Sequence, residues 1–240
     1  MTSINRRNTL LSLASGLYGC TAMTGTDILA RSRLVVDDGV SEITPVYVMT
    51  HNESQSSTFV RADYYFYDAK KEVELLPGAS IKVNGIALQR DPKEVVSYIG
   101  NIPMPHDLLT FEFTRTPKKV IKHSFALPEL DIVEFPSRYR VGDRLTVAVN
   151  NRSPRPGVAK DIYALDIRGD HGGYDFVSEP AGPPSMTFRP LIKNVKFPSG
   201  FYKAHFFRQQ RTPLKDLSSD LRTGWAVASS SKDFKIQVTN

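Results

Sequence analysis

From residue 59 onward, apolar and polar side chains alternate along much of the chain with a period of two, the signature of strands that bury one face. In FVRADYYFY (59–67) Tyr64 and Phe66 fall on one face, and Tyr65 and Tyr67 on the other. EVELL sets Val73 and Leu75 against Glu72 and Glu74. PGASIKVNGIALQRD carries the sharpest local signal. A Pro77-Gly78 turn leads to Ile81 and Val83 on one face, and Asn84-Gly85 supplies the two positive-φ residues of a type I′ hairpin that returns through Ile86 and Leu88. LLTFEFTR then aligns Leu109, Phe111 and Phe113, and KVIKHSFAL aligns Ile121 and Phe125.

Leu127-Pro128-Glu129 interrupts the alternation, which restarts in LDIVEF (130–135), in DRLTVAVN with Leu145, Val147 and Val149 inward, and in DIYALDI with Tyr163, Leu165 and Ile167 inward. SMTF, SGFYKAHFF, GWAVAS and DFKIQVT follow as separate strands, with Ser229-Ser230-Ser231 read as the polar turn between the last two. Short helices are expected only in DPKEVVSYI (91–99) and in TPLKDLSSDL (212–221), where Thr212 suits the cap and Pro213 the first helical position. The expected fold class is all-β: two antiparallel sandwiches in tandem, over 34–127 and 128–240.

The first 33 residues break this pattern. Arg6 and Arg7 precede a brief apolar run, Thr9 to Leu17, far short of the roughly 20 residues that cross a bilayer. A basic start, a short apolar core and small residues before a processing point make up a secretory signal peptide, assigned to residues 1–19. Removing it lowers the formal charge from +6 to +4, with 29 cationic side chains against 25 acidic ones. The cations are scattered among acids, so no nucleic-acid partner is expected. Cys20 is the one cysteine of the chain, which excludes disulfides, redox pairs and cysteine-built zinc sites.

Leu17-Tyr18-Gly19-Cys20 resembles the lipobox of bacterial lipoprotein precursors, with Tyr18 where the family pattern has a smaller residue. The resemblance implies that Cys20 is acylated and becomes the mature N-terminus. Residues 20–33 then tether the folded part to a membrane, and Thr21 in place of Asp implies the outer one. Several acyl chains give stable anchoring where one does not. In the second half, FPSGFYKAHFFR is similar to the Gly-x-Tyr-x-Ala entrance to strand F of immunoglobulin-like and fibronectin-like domains. That likeness implies an immunoglobulin-like sandwich in which the Tyr202 hydroxyl bonds back to an upstream backbone group.

Past the lipobox, no motif specifies a reaction. There is no P-loop, no dinucleotide fingerprint and no nucleophile elbow, so no catalytic residue, metal or cofactor is expected. DIRGDHGGYD (166–175) gathers Asp170, His171 and Asp175 beside two glycines. It reads first as a hairpin turn at Gly172-Gly173 and second as a hydrolytic or calcium-dependent loop. His123 belongs at the edge of a core and His205 in solvent. Tyr65, Tyr67, Tyr174 and Trp225 are the binding candidates, suited to stacking on a glycan or anchoring a protein partner. Their structural alternative has Tyr65 and Tyr67 covering a sheet edge and Trp225 filling the second core. The expected function is a non-enzymatic, lipid-anchored envelope protein that presents β-sandwich domains to a protein partner, with glycan binding as the alternative.

Overall fold

The computed structural model describes residues 34–35, 43–66, 73–75, 78–93, 97–116, 119–150, 156–169, 172–178, 185–190, 198–214 and 224–240. These form eighteen strands. In the first half they are β1 (Leu34–Val35), β2 (Ile43–Asn52), β3 (Ser57–Phe66), β4 (Val73–Glu74), β5 (Ser80–Val83), β6 (Ile86–Ala87), β7 (Gln89–Arg90), β8 (Ser97–Pro103), β9 (Leu109–Thr116) and β10 (Lys119–Phe125). The second half contributes β11 (Ile132–Glu134), β12 (Arg138–Arg140), β13 (Leu145–Val149), β14 (Lys160–Gly169), β15 (Gly172–Ser178), β16 (Ser185–Pro190), β17 (Gly200–Pro213) and β18 (Trp225–Thr239). The protein is all-β.

Local sequence accounts for the tightest turns. Asn84 and Gly85 have φ of 50° and 82°, the two left-handed residues of a type I′ turn, and Val83 pairs with Ile86 across them. At the β2–β3 turn the Asn52 carboxamide oxygen accepts hydrogen bonds from the Ser54 amide at 3.0 Å and hydroxyl at 2.7 Å, an Asx-type turn.

One sheet runs in the order β11-β13-β16-β15-β14-β17-β18-β2-β3-β8-β7, with β12 joining β18 in parallel. A second sheet, β10-β9-β5-β6, lies over β2, β3 and β8, and a small parallel pair joins β1 to β4. Between the two layers sits an apolar cluster built on Tyr47, Met49, Val60, Tyr64, Ile81, Val83, Leu109, Phe111 and Phe113, all buried. Another cluster encloses Leu145, Val147, Val149, Leu165, Ile167, Phe206, Ile236 and Val238. Each fully buried side chain of this size contributes about 1.5–3 kcal/mol.

The two clusters share strands. β17 and β18 form a hairpin of fourteen directly opposed pairs, Gly200 with Val238 through Pro213 with Trp225, without a change of register. Even-numbered residues of both strands enter the cores, Ala204, Phe206, Ile236 and Val238 the second and Ala226 and Ala228 the first, which Leu214, just past β17, also joins, whereas Lys232 between them is exposed. The opening half of β18, Trp225–Ser231, pairs in parallel with Val46–Asn52 of β2. The first cluster draws on residues 43–121 and on Leu214, Ala226 and Ala228, and the second on residues 130–238, so the last strand of the chain completes the sheet that contains β2.

This arrangement corrects three sequence expectations. GWAVAS and DFKIQVT are one strand, and Ser229–Ser231 form its centre, flanked by β17 on one side and β2 on the other. Two of their hydroxyls bond inside the sheet: Ser229 Oγ donates to Met49 O at 3.3 Å and Ser231 Oγ to His51 O at 3.1 Å. Residues 97–99 of DPKEVVSYI lie in β8 instead of a helix, and residues 94–96 lie outside the described residues. Thr212 and Pro213 end β17 instead of capping a helix, while 215–221 lie outside the described residues.

A polar layer divides the clusters on the inward face. Arg208, 3% exposed, holds Asp161 through two bonds, Nε to Oδ1 at 3.0 Å and Nη2 to Oδ2 at 2.6 Å. Its Nη1 donates to the Glu129 carbonyl at 3.0 Å, and its guanidinium lies 5.0 Å from the Tyr163 ring centre. Glu129 belongs to the segment that connects the halves, so this one side chain fastens connector, β14 and β17 together. Gly224 closes the other end: a Cβ there would meet Leu214 Cδ1 at 2.6 Å and the Pro45 carbonyl oxygen at 2.7 Å.

Candidate functional site

Odd-numbered residues of β17 and β18 alternate away from the cores, and strand register aligns them into rows across the sheet. One row is Asp166 of β14, His205 of β17 and Asp233 of β18. The next, one dipeptide further along, is Arg168, Lys203 and Lys235. Beyond it, Phe201 faces Gln237, which pairs with Arg138 of β12, and Thr239 pairs with Arg140. Tyr139, between those arginines, is buried opposite Val238, so the arginines share the outward face with Phe201. On β12, β14, β17 and β18, this end of the face carries five cations and two carboxylates.

The carboxylates are committed to neighbours. Asp233 receives the Lys203 ammonium at 2.7 Å, His205 Nδ1 at 2.7 Å and the Asn52 amide at 3.2 Å. An ionised carboxylate only accepts, so Nδ1 carries the proton in the His205 contact. Burial raises the Asp233 pKa, but these three donors outweigh it and hold the carboxyl below its ordinary value. Asp166, also buried, pairs with Arg168 at 3.4 Å. Lys235 instead lies over the Phe201 ring, 4.6 Å from its centre, and Phe201 is 67% exposed. A depression of about 420 Å³ is lined by Phe201, Tyr202, Lys203, Asp233, Phe234 and Lys235.

Cations directly opposite one another on neighbouring strands oppose sheet formation. Asp166 and Asp233 compensate Arg168 and Lys203, whereas Lys235, Arg138 and Arg140 have no carboxylate partner among the described residues. The His205–Asp233 contact has the geometry of the orienting half of a hydrolytic triad. The Ser231 hydroxyl donates to the His51 carbonyl. The described residues of this face combine cations, two carboxylates and an exposed aromatic ring.

Of the residues singled out from sequence, Tyr202 and His205 belong to this face, and the four aromatic binding candidates do not gather on it. Cys20, Tyr67, Asp170 and His171 lie outside the described residues. Tyr65 is half-buried on β3, and the Cα partner of Tyr174 on β15 is Ile167. Trp225 does not fill the second core. It begins β18 beside Val46, half-buried, with the Arg211 guanidinium 3.8 Å from its ring centre, so one ring face is already occupied. Asp175 pairs with Asp166, and Gly172 and Gly173 are strand residues of β15, opposite Gly169 and Arg168, instead of turn residues. His123 is buried at a core edge, with Nδ1 3.3 Å from the Tyr47 hydroxyl. His205 is not free in solvent, being held by Asp233. The Tyr202 hydroxyl donates to the Pro198 carbonyl at 2.7 Å, the backbone bond expected of it.

Sequence reasoning missed Phe201, Lys203, Lys235, Arg138, Arg140 and Arg168. Each is an ordinary outward residue of its strand, and only the register brings them together. Among known proteins, the chain matches no protein-family model and no curated sequence.

Proposed function

We propose that this is a non-enzymatic, lipid-anchored protein of the bacterial cell envelope, held at the outer membrane through Cys20, whose two immunoglobulin-like sandwiches present a surface to a protein partner. Leu17-Tyr18-Gly19-Cys20 supports the anchor. Three features support the immunoglobulin-like reading of the second half: the pairing of β13 with β16, the succession β14-β17-β18, and the parallel docking of β12 on β18. The Tyr202 bond to Pro198 adds to it. The observation that carries the display function is the shared β17–β18 hairpin. By running through both cores, it makes one stiff sheet whose outward face ends in the exposed Phe201 and its cations.

The anchor is tested by growing cells with an alkyne palmitate analogue and fractionating their membranes. The wild-type chain is expected to take up label and to partition with the membrane, and Cys20→Ala to lose both. Persistent labelling, or unchanged fractionation of Cys20→Ala, would refute the anchor.

A further inference from the structure

We infer that the outward face around Phe201, Lys203, Lys235, Arg138 and Arg140 docks an acidic segment of a partner protein, with carboxylates on the cation rows and an apolar side chain against Phe201. The inference rests on the display reading and names the chemistry of the partner.

Charge complementarity is the first argument. In the row Arg168–Lys203–Lys235 three cations stand directly opposite one another on successive strands, an arrangement that works against the sheet's own stability. Among the described residues, Asp166 and Asp233 answer two of them. Arg138 and Arg140 extend the positive field along β12 beside the same end of β18. Carboxylates arriving from outside would relieve this repulsion, so the surface gains from an occupant in proportion to what it costs when empty. Phe201 is the second argument: an exposed ring beside a shallow depression, with Lys235 over one face, is an aromatic anchor surrounded by charge.

Mixed chemistry selects protein over lipid. Two carboxylates, Asp166 and Asp233, stand among the cations, and Phe201 is a single exposed ring beside a depression of about 420 Å³. A peptide segment can match that pattern with side chains of its own, whereas an anionic bilayer surface presents negative charge alone.

The test uses the full chain with Cys20→Ala, so its outcome is independent of whether the anchor reading holds. A fluorescein-labelled twelve-residue peptide rich in Glu and Asp with two Leu residues is titrated by anisotropy. It is compared with the same peptide carrying Gln and Asn, and with vesicles of 30% phosphatidylglycerol in phosphatidylcholine. The expected result is binding of the acidic peptide that weakens at least tenfold between 50 and 300 mM salt. It should also weaken at least tenfold in Lys235→Glu/Arg138→Glu and at least threefold in Phe201→Ala. The melting temperature of Lys235→Glu should be equal to or above that of the parent, because the introduced carboxylate then faces Lys203 with opposite charge. Lys235→Gln repeats the measurement without reversing charge. Binding of the neutral peptide as tight as the acidic one, acidic binding indifferent to these substitutions, or vesicle binding in the absence of peptide binding would each overturn the inference.

Discussion

Replacing Arg208 with Met tests the joint between the two cores. The substitution keeps most of the apolar stem but deletes the guanidinium, and with it both bonds to Asp161, at 3.0 and 2.6 Å, and the bond to the Glu129 carbonyl at 3.0 Å. Removing one partner of a buried ion pair costs about 3–5 kcal/mol, because the remaining charge stays desolvated. The Asp161 side chain is 16% exposed and recovers some hydration, so the lower end, about 3 kcal/mol, applies. With a urea slope of about 2–3 kcal/mol per M for a chain this size, the midpoint should fall by about 1–1.5 M. Arg208→Met/Asp161→Leu removes the stranded charge along with its partner and should return to within about 1 kcal/mol of wild type. Arg208→Lys keeps the charge without the fork and should fall between the two. A midpoint shift below about 0.3 M for Arg208→Met, or a double variant whose loss is the sum of the single ones, would refute the clamp.

Other expectations follow from single contacts. Gly224→Ala places a methyl 2.6 Å from Leu214 and 2.7 Å from the Pro45 backbone carbonyl, and should cost about 1–3 kcal/mol in urea denaturation, whereas Gly100→Ala, whose one close contact is the side-chain end of Leu88 at 2.8 Å, should cost less. Tyr202→Phe loses the bond to Pro198 and should lower stability by about 0.5–1.5 kcal/mol. The Asp233 pKa is depressed in the folded state, so its contribution is complete above the ordinary carboxylate value near 4 and is lost as pH falls through the lower folded value. Asp233→Asn should therefore flatten the stability profile below about pH 4, as read from urea midpoints across pH 2–5.

Where structure follows from neighbours in sequence, the chain could be read directly. Asn84-Gly85 dictates its own hairpin, and the alternations Leu109-Phe111-Phe113 and Leu145-Val147-Val149 declare their buried faces because burial has a period of two. What could not be read is set by partners distant in sequence. Three successive serines look like a turn, yet Ser229–Ser231 lie between two strands, where small hydroxyls bond to the backbone of β2 about 180 residues away. The length of β18 was hidden for the same reason: Lys232 and Asp233 interrupt the apolar pattern as the strand passes from one core to the other. The cation rows are a property of register between strands. Lys203, Lys235 and Arg168 are ordinary in their own segments, and Trp225 drew notice for its type although its ring is already stacked with Arg211.

That β18 runs unbroken through both halves of the molecule is the central structural claim. Hydrogen exchange followed by mass spectrometry over peptides spanning 225–231 measures this directly, with the β17 peptides as the internal reference. The amides of 225–231 are predicted to exchange as slowly as those of Ala204–Gln210, opening only with the global unfolding of the protein. Exchange within seconds, as in a serine-rich turn, would contradict it.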